Sequence, residues 1–89
     1  MSMVEDFYAA VRTGDRRTAR RIAKNLRRNA SHHAEQVRWG KWLRALRRGH
    51  RVLIKTHPVE FIVGEDLCDL EAIRTATPED FNPREAEPE

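Results

Sequence analysis

Apolar residues recur at helical spacing through the first half of the chain. Val4, Phe7, Tyr8 and Val11 fall at i, i+3, i+4 and i+7, one stripe of an amphipathic helix. Ser2 with Glu5 three residues later has the form of a capping box at its start. Gly14 supplies a stop, and Asp15 can cap the next helix. That second helix is expected from about Arg16 to Asn29, with a thin stripe of Ala19, Ile22, Ala23, Leu26 and Ala30. Asn29-Ala30-Ser31 is a break with Ser31 as the expected N-cap. A third helix follows from His32 to Arg48, ended by Gly49, with Trp39, Trp42, Leu43 and Leu46 on its buried side.

The period then changes from helical to alternating. Val52 and Ile54 alternate with Leu53 and Lys55, and Val59, Phe61 and Val63 with Glu60 and Ile62. Thr56-His57-Pro58 lies between the two runs, so they read as a β-hairpin. Leu67, Leu70 and Ile73 suggest a short helix over Asp66–Thr75. Thr77 to Asp80 reads as a capped helical turn, with Phe81 tucked against the domain and Asn82-Pro83 ending it.

The expected fold is therefore α+β and mainly helical: three helices, a β-hairpin and a short C-terminal helix. Helix, helix, helix, hairpin is the element order of a winged helix-turn-helix, whose third helix enters the major groove. One domain over 1–81 and an acidic, disordered tail over 82–89 complete the layout. The third helix is long for a recognition helix, and the hairpin tip lacks the basic residues that wings use on phosphate. The core is expected to hold Phe7, Ile22, Leu26, Trp39, Leu43, Leu46, Ile54 and Phe61.

At 89 residues the chain has room for one domain, and its apolar fraction is 39%. Nearly every large apolar side chain must then enter a single core. The longest apolar run, Phe7 to Val11, is far short of the roughly 20 residues a membrane span needs. No secretory signal is visible, so the expected location is the cytoplasm. Cys68 is the only cysteine, which excludes an internal disulfide and a multi-cysteine zinc site. His32 and His33 point about 100° apart on a helix, and with His50 and His57 they match no zinc spacing. Neither a metal nor a cofactor is expected, and the sequence contains no catalytic signature.

Charge changes this picture more than composition does. The net charge is +3, but residues 1–11 carry −2, residues 12–51 carry +12 and residues 52–89 carry −7. A forty-residue segment that basic points to a phosphate backbone as partner. The plainer alternative is a solvated face balanced by the protein's own acidic half. Arg17, Arg21, Lys24 and Arg28 repeat along one side of the second helix, flanked by Arg16, Arg20 and Arg27. With Arg44 and Arg48 of the third helix, the first four are the expected phosphate contacts. His33, Gln36, Val37 and Lys41, in the first turns of the third helix, are the candidates for base contact: Gln pairs with adenine, Lys reaches guanine, Val meets a thymine methyl. Gly40 allows close backbone approach, and the tryptophans belong to the core.

The expectation is a small DNA-binding protein of transcriptional-regulator type, not an enzyme, acting on duplex DNA, with a homodimer as its possible form. Two alternatives come from other classes. One is an RNA-acting protein, either an RNA-binding module or a small endoribonuclease toxin using Arg44, Arg47, His50, Arg51 and His57 at the helix–hairpin junction. The other is a protein-binding inhibitor or adaptor that uses the acidic C-terminal part.

Overall fold

The structure is a computed structural model describing residues 2–65 and 70–84. Three helices, α1 (Met3–Thr13), α2 (Arg16–Asn29) and α3 (His33–Arg48), precede strands β1 (Val52–Ile54) and β2 (Val59–Phe61). Helix α4 is described over Leu70–Thr75, and a 3-10 turn at Pro78–Asp80 leads into β3 (Phe81–Pro83). The fold is α+β and mainly helical, with the three helices first and the sheet after them. Among the described residues no helix is long and apolar enough to cross a membrane.

The helix ends follow their punctuation residues. Gly14 closes α1 in the left-handed region at φ 76°, a conformation that costs glycine nothing. Asp15 then caps α2 by accepting from the Thr18 backbone N–H at 3.1 Å. Gly49 ends α3 in the same way at φ 69°. Two starts differ from expectation. The Ser2 side chain makes no cap hydrogen bond, so the Ser2–Glu5 capping box is not closed. The N-cap of α3 is His32, not Ser31.

The sheet has three antiparallel strands in the order β2-β1-β3, one more than the hairpin alone. Val52 pairs with Phe61 on one side and with Pro83 on the other. Backbone bonds from Lys55 to Asp80 (3.0 Å) and from Arg84 to Arg51 (2.9 Å) flank the β1–β3 ladder at its two ends. Asn82 and Pro83, assigned by sequence to the tail, are therefore strand. Proline is tolerated there because β3 is an edge. Arg84 is also held, by an ion pair to Glu60 at 2.9 Å. The helix start expected at Asp66 and residues 85–89 of the tail lie outside the described residues.

All six aromatic residues of the chain gather in one core. Phe7 meets Tyr8, Trp39 and Trp42 edge-on, with centroids 4.9–5.1 Å apart. Phe81 stacks on Tyr8 at 5.6 Å and joins the sheet to α1. Such pairs each contribute about 0.5–1.5 kcal/mol beyond the area they bury. Five of the eight expected core residues are buried: Phe7, Trp39, Leu46, Ile54 and Phe61. Ile22, Leu26 and Leu43 are only half-buried, packed against the core's margin. On α2 the buried positions go to Ala19 and Ala23, which leaves Ile22 and Leu26 at the margin, and Leu43 of α3 lines an open groove.

Candidate nucleic-acid interface

Four arginines of the basic segment bond within the fold. Arg16 donates through Nε to the carbonyl of Leu46 and through Nη2 to that of Arg47 at 2.9 Å. It thereby satisfies two carbonyls in the last turn of α3, where α-helices leave acceptors open. Its stem passes beside Gly64, where a Cβ would stand 3.3 Å from that of Arg16. Arg12 donates to the Ala76 carbonyl at 2.8 Å and lies over the Phe81 ring. Arg38 donates to the Tyr8 hydroxyl at 2.7 Å, giving that buried phenol its partner. Arg51, at the sheet, pairs with Glu60 at 3.3 Å.

The remaining charge of α2 collects on one side. At about 100° per residue, Arg27, Arg20, Lys24, Arg17, Arg28 and Arg21 occupy an arc of roughly 120° that begins next to the buried stripe. This arc faces a flank of α3 where Gln36, Gly40, Leu43 and Arg47 succeed one another at i, i+4, i+7 and i+11. Between the two helices lies an open groove of about 800 Å³. It is lined by Arg17, Arg20, Arg21, Lys24, Arg27, Arg28 and Arg47, with Gln36 and Leu43. Seven of these nine residues are cations and none is an acid or an aromatic. None of the seven cations makes an ion pair among the described residues. Asp15 caps the start of α2, near two of these cations. Its carboxyl titrates below the usual 3.8, first because Thr18 donates to it and then because Arg21 and Arg17 lie near.

Four of the expected phosphate contacts, Arg17, Arg21, Lys24 and Arg28, line this groove. Arg44 and Arg48 do not: they are exposed on the outward face of α3. Arg20, Arg27 and Arg47 take part instead. The signal for Arg47 was its register with Gln36 and Leu43, but only the docking of α2 decides which flank of α3 becomes a wall.

The candidate base-contacting residues divide as well. Gln36 lies in the groove and its amide donates to the Ala30 carbonyl at 3.1 Å, which ties it to the α2–α3 turn. His33, Val37 and Lys41 are exposed on the outward face. The space over Gly40 is taken by the Arg27 side chain, 4.0 Å from where a Cβ would stand. Gly40 is itself buried, and a Cβ there would meet Arg27 at ordinary contact distance.

A smaller hollow of about 170 Å³ lies between Val4, Leu26, Glu35, Arg38 and Trp39, with one charge of each sign on its rim. The residues suggested for an endoribonuclease are dispersed. Arg47 is in the groove and Arg51 is on Glu60. The length of β1, about 10 Å, separates His50 from His57, which sits beside Thr56 in the hairpin turn. No group of three His, Cys, Asp or Glu that could hold a metal ion occurs among the described residues.

No protein family, curated protein or solved structure matches this chain. The functional reading rests on the groove's geometry and charge.

Proposed function

We propose that the protein is a small DNA-binding protein of the kind that regulates transcription, and that it meets duplex DNA with the face formed by α2 and α3. The observation that carries this reading is the α2–α3 groove, where seven cations face one opening with no acid among the lining residues. Such an arrangement has a cost in the free protein. Like charges at i, i+4 destabilise a helix by about 0.2–0.5 kcal/mol per pair. Arg17–Arg21, Arg20–Lys24 and Lys24–Arg28 are three such pairs on α2 alone. A polyanion removes that repulsion, and the released counterions drive the association.

The division of labour follows from the two faces of α3. Its groove side joins α2 in holding phosphate, which positions the protein without reading sequence. Its outward side presents His33, Val37 and Lys41 to the major groove, with Arg44 and Arg48 further along the same helix. The three-residue link Ala30–His32 between α2 and α3 has the length found in helix-turn-helix units. RNA-binding modules that read single strands stack bases on exposed aromatics. Here every Phe, Tyr and Trp side chain is in the core, which favours the duplex.

Fluorescence anisotropy with several unrelated duplexes tests the proposal. Reversing Arg21 and Lys24 to Glu should weaken binding to all of them alike. Lys41→Ala should change the ranking among them, by about 1–3 kcal/mol at the base pair it reads. Absence of binding by the folded wild type at low salt would overturn it.

A further inference from the structure

We propose that the groove between α2 and α3 seats the phosphate backbone of a single strand at a time, so that within a duplex the protein grips one strand and leaves the other. This rests on the nucleic-acid reading above and names which part of the polymer the groove takes.

The dimensions carry the argument. Packed helices stand about 8–10 Å apart axis to axis, and Arg27 of α2 reaches over Gly40 of α3. The open groove holds about 800 Å³, which over a wall roughly 16 Å long leaves a mean cross-section of about 50 Å², room for one sugar–phosphate ridge. A duplex is too wide to enter and rests on the rims. From Arg17 to Arg28 the α2 wall is about 16 Å long at 1.5 Å per residue. That length matches at most about five phosphates of one strand at 3.4 Å of axis per nucleotide.

The distribution of charge agrees. Six cations stand along the α2 wall, and Arg47 faces them from α3. Arg16 fixes that end of the channel by holding the Leu46 and Arg47 carbonyls. Gln36, bonded to Ala30, marks the other end. A strand lying in the channel is therefore met from both sides by charge that belongs to one site. With Leu43 as the only apolar lining residue and no Phe, Tyr or Trp side chain, the channel offers bases no aromatic platform, and its guanidinium groups are committed to phosphate. The bases point out of it, toward the outward face of α3 or toward solvent.

Methylphosphonate chemistry, which removes phosphate charge without removing the bases, separates the possibilities. The probes are one short duplex with natural strands, the same duplex with one strand uniformly neutral, and the same with both neutral. A natural single strand and its abasic counterpart serve as competitors. Neutralising one strand should weaken binding by only about twofold, the loss of one of two equivalent backbones, whereas neutralising both should abolish it. The abasic strand should compete as well as the natural one. Arg21→Gln with Lys24→Gln, which removes both charges and keeps polar, helix-forming side chains, should weaken duplex and single strand together by about tenfold or more. If neutralising one strand costs nearly as much as neutralising both, or if neither single strand competes, the one-strand groove is wrong while the nucleic-acid reading stands. If the natural duplex itself is not bound, both fall.

Discussion

Arg16 and Arg17 are neighbours in sequence and opposites in role, and alanine at each position tests the division drawn between them. Arg16→Ala removes two hydrogen bonds from a charged donor to the last turn of α3. Such bonds contribute about 1.5–3 kcal/mol each where they are sheltered. The bond to the Arg47 carbonyl is exposed and belongs at or below the low end. The loss is therefore about 2–4 kcal/mol, a large share of the roughly 5–10 kcal/mol that holds a domain of this size together. In a chain this short, each 1 kcal/mol moves Tm by about 4–8 °C, so the expected fall is about 10–30 °C. Arg17→Ala removes no hydrogen bond among the described residues. It takes a cation from the N-terminal turn of α2, where the helix dipole disfavours positive charge. Its Tm should stay unchanged or rise slightly, and its DNA affinity should fall. Thermal unfolding followed by the fluorescence of the buried Trp39 and Trp42 gives both values. Equal Tm shifts for the two variants, or a cost below about 1 kcal/mol for Arg16→Ala, would refute the assignment.

Four further outcomes follow from the same structure. Lys24 belongs to two like-charge i, i+4 pairs, so Lys24→Gln should stabilise the free protein by about 0.4–1 kcal/mol while weakening DNA binding; a thermal melt beside a binding titration reads the opposite signs. Leu46→Ala empties a fully buried site and should cost about 2–5 kcal/mol in a denaturant titration, whereas Leu43→Ala, on the groove floor, should cost clearly less. The carboxyls of Asp15 and Asp80 are held below 3.8 by hydrogen bonds from Thr18 and from Thr77, so each stabilises the fold above that pH and the contribution fades as pH falls through the lowered value; carbon-detected NMR titration should find both midpoints under 3.8. Sedimentation with and without duplex should detect a dimer on DNA, since two copies double the contact set of so small a module; a monomer in both states removes the dimer and leaves the binding proposal intact.

The helical half of the fold was legible because pattern and punctuation agree. Stripes at i, i+3, i+4 and i+7 run between Gly14, Asp15 and Gly49, and the three helices begin and end within about a residue of expectation. Strand β3 was not legible. Phe81-Asn82-Pro83 is three residues long, and Asn and Pro are poor strand formers. It exists because β1 has a second edge to pair, and because the Thr77–Asp80 turn aims Phe81 at Tyr8. The site divides in the same way. The basic line on α2 can be read from one helix alone. The wall contributed by α3 cannot, since its wheel gives a buried stripe and an opposite face. Which flank of α3 faces α2 is decided by how the two helices pack, with Arg27 of α2 over Gly40.

The salt dependence of duplex binding tests the central claim most directly. If the groove cations neutralise about five phosphates of B-form DNA, log K should fall against log salt with a slope of about −4 to −5. Replacing Arg21 and Lys24 by Gln should make it shallower by about two. A wild-type slope near zero, or a slope that this double replacement leaves unchanged, would contradict the assignment of the α2–α3 groove as a phosphate site.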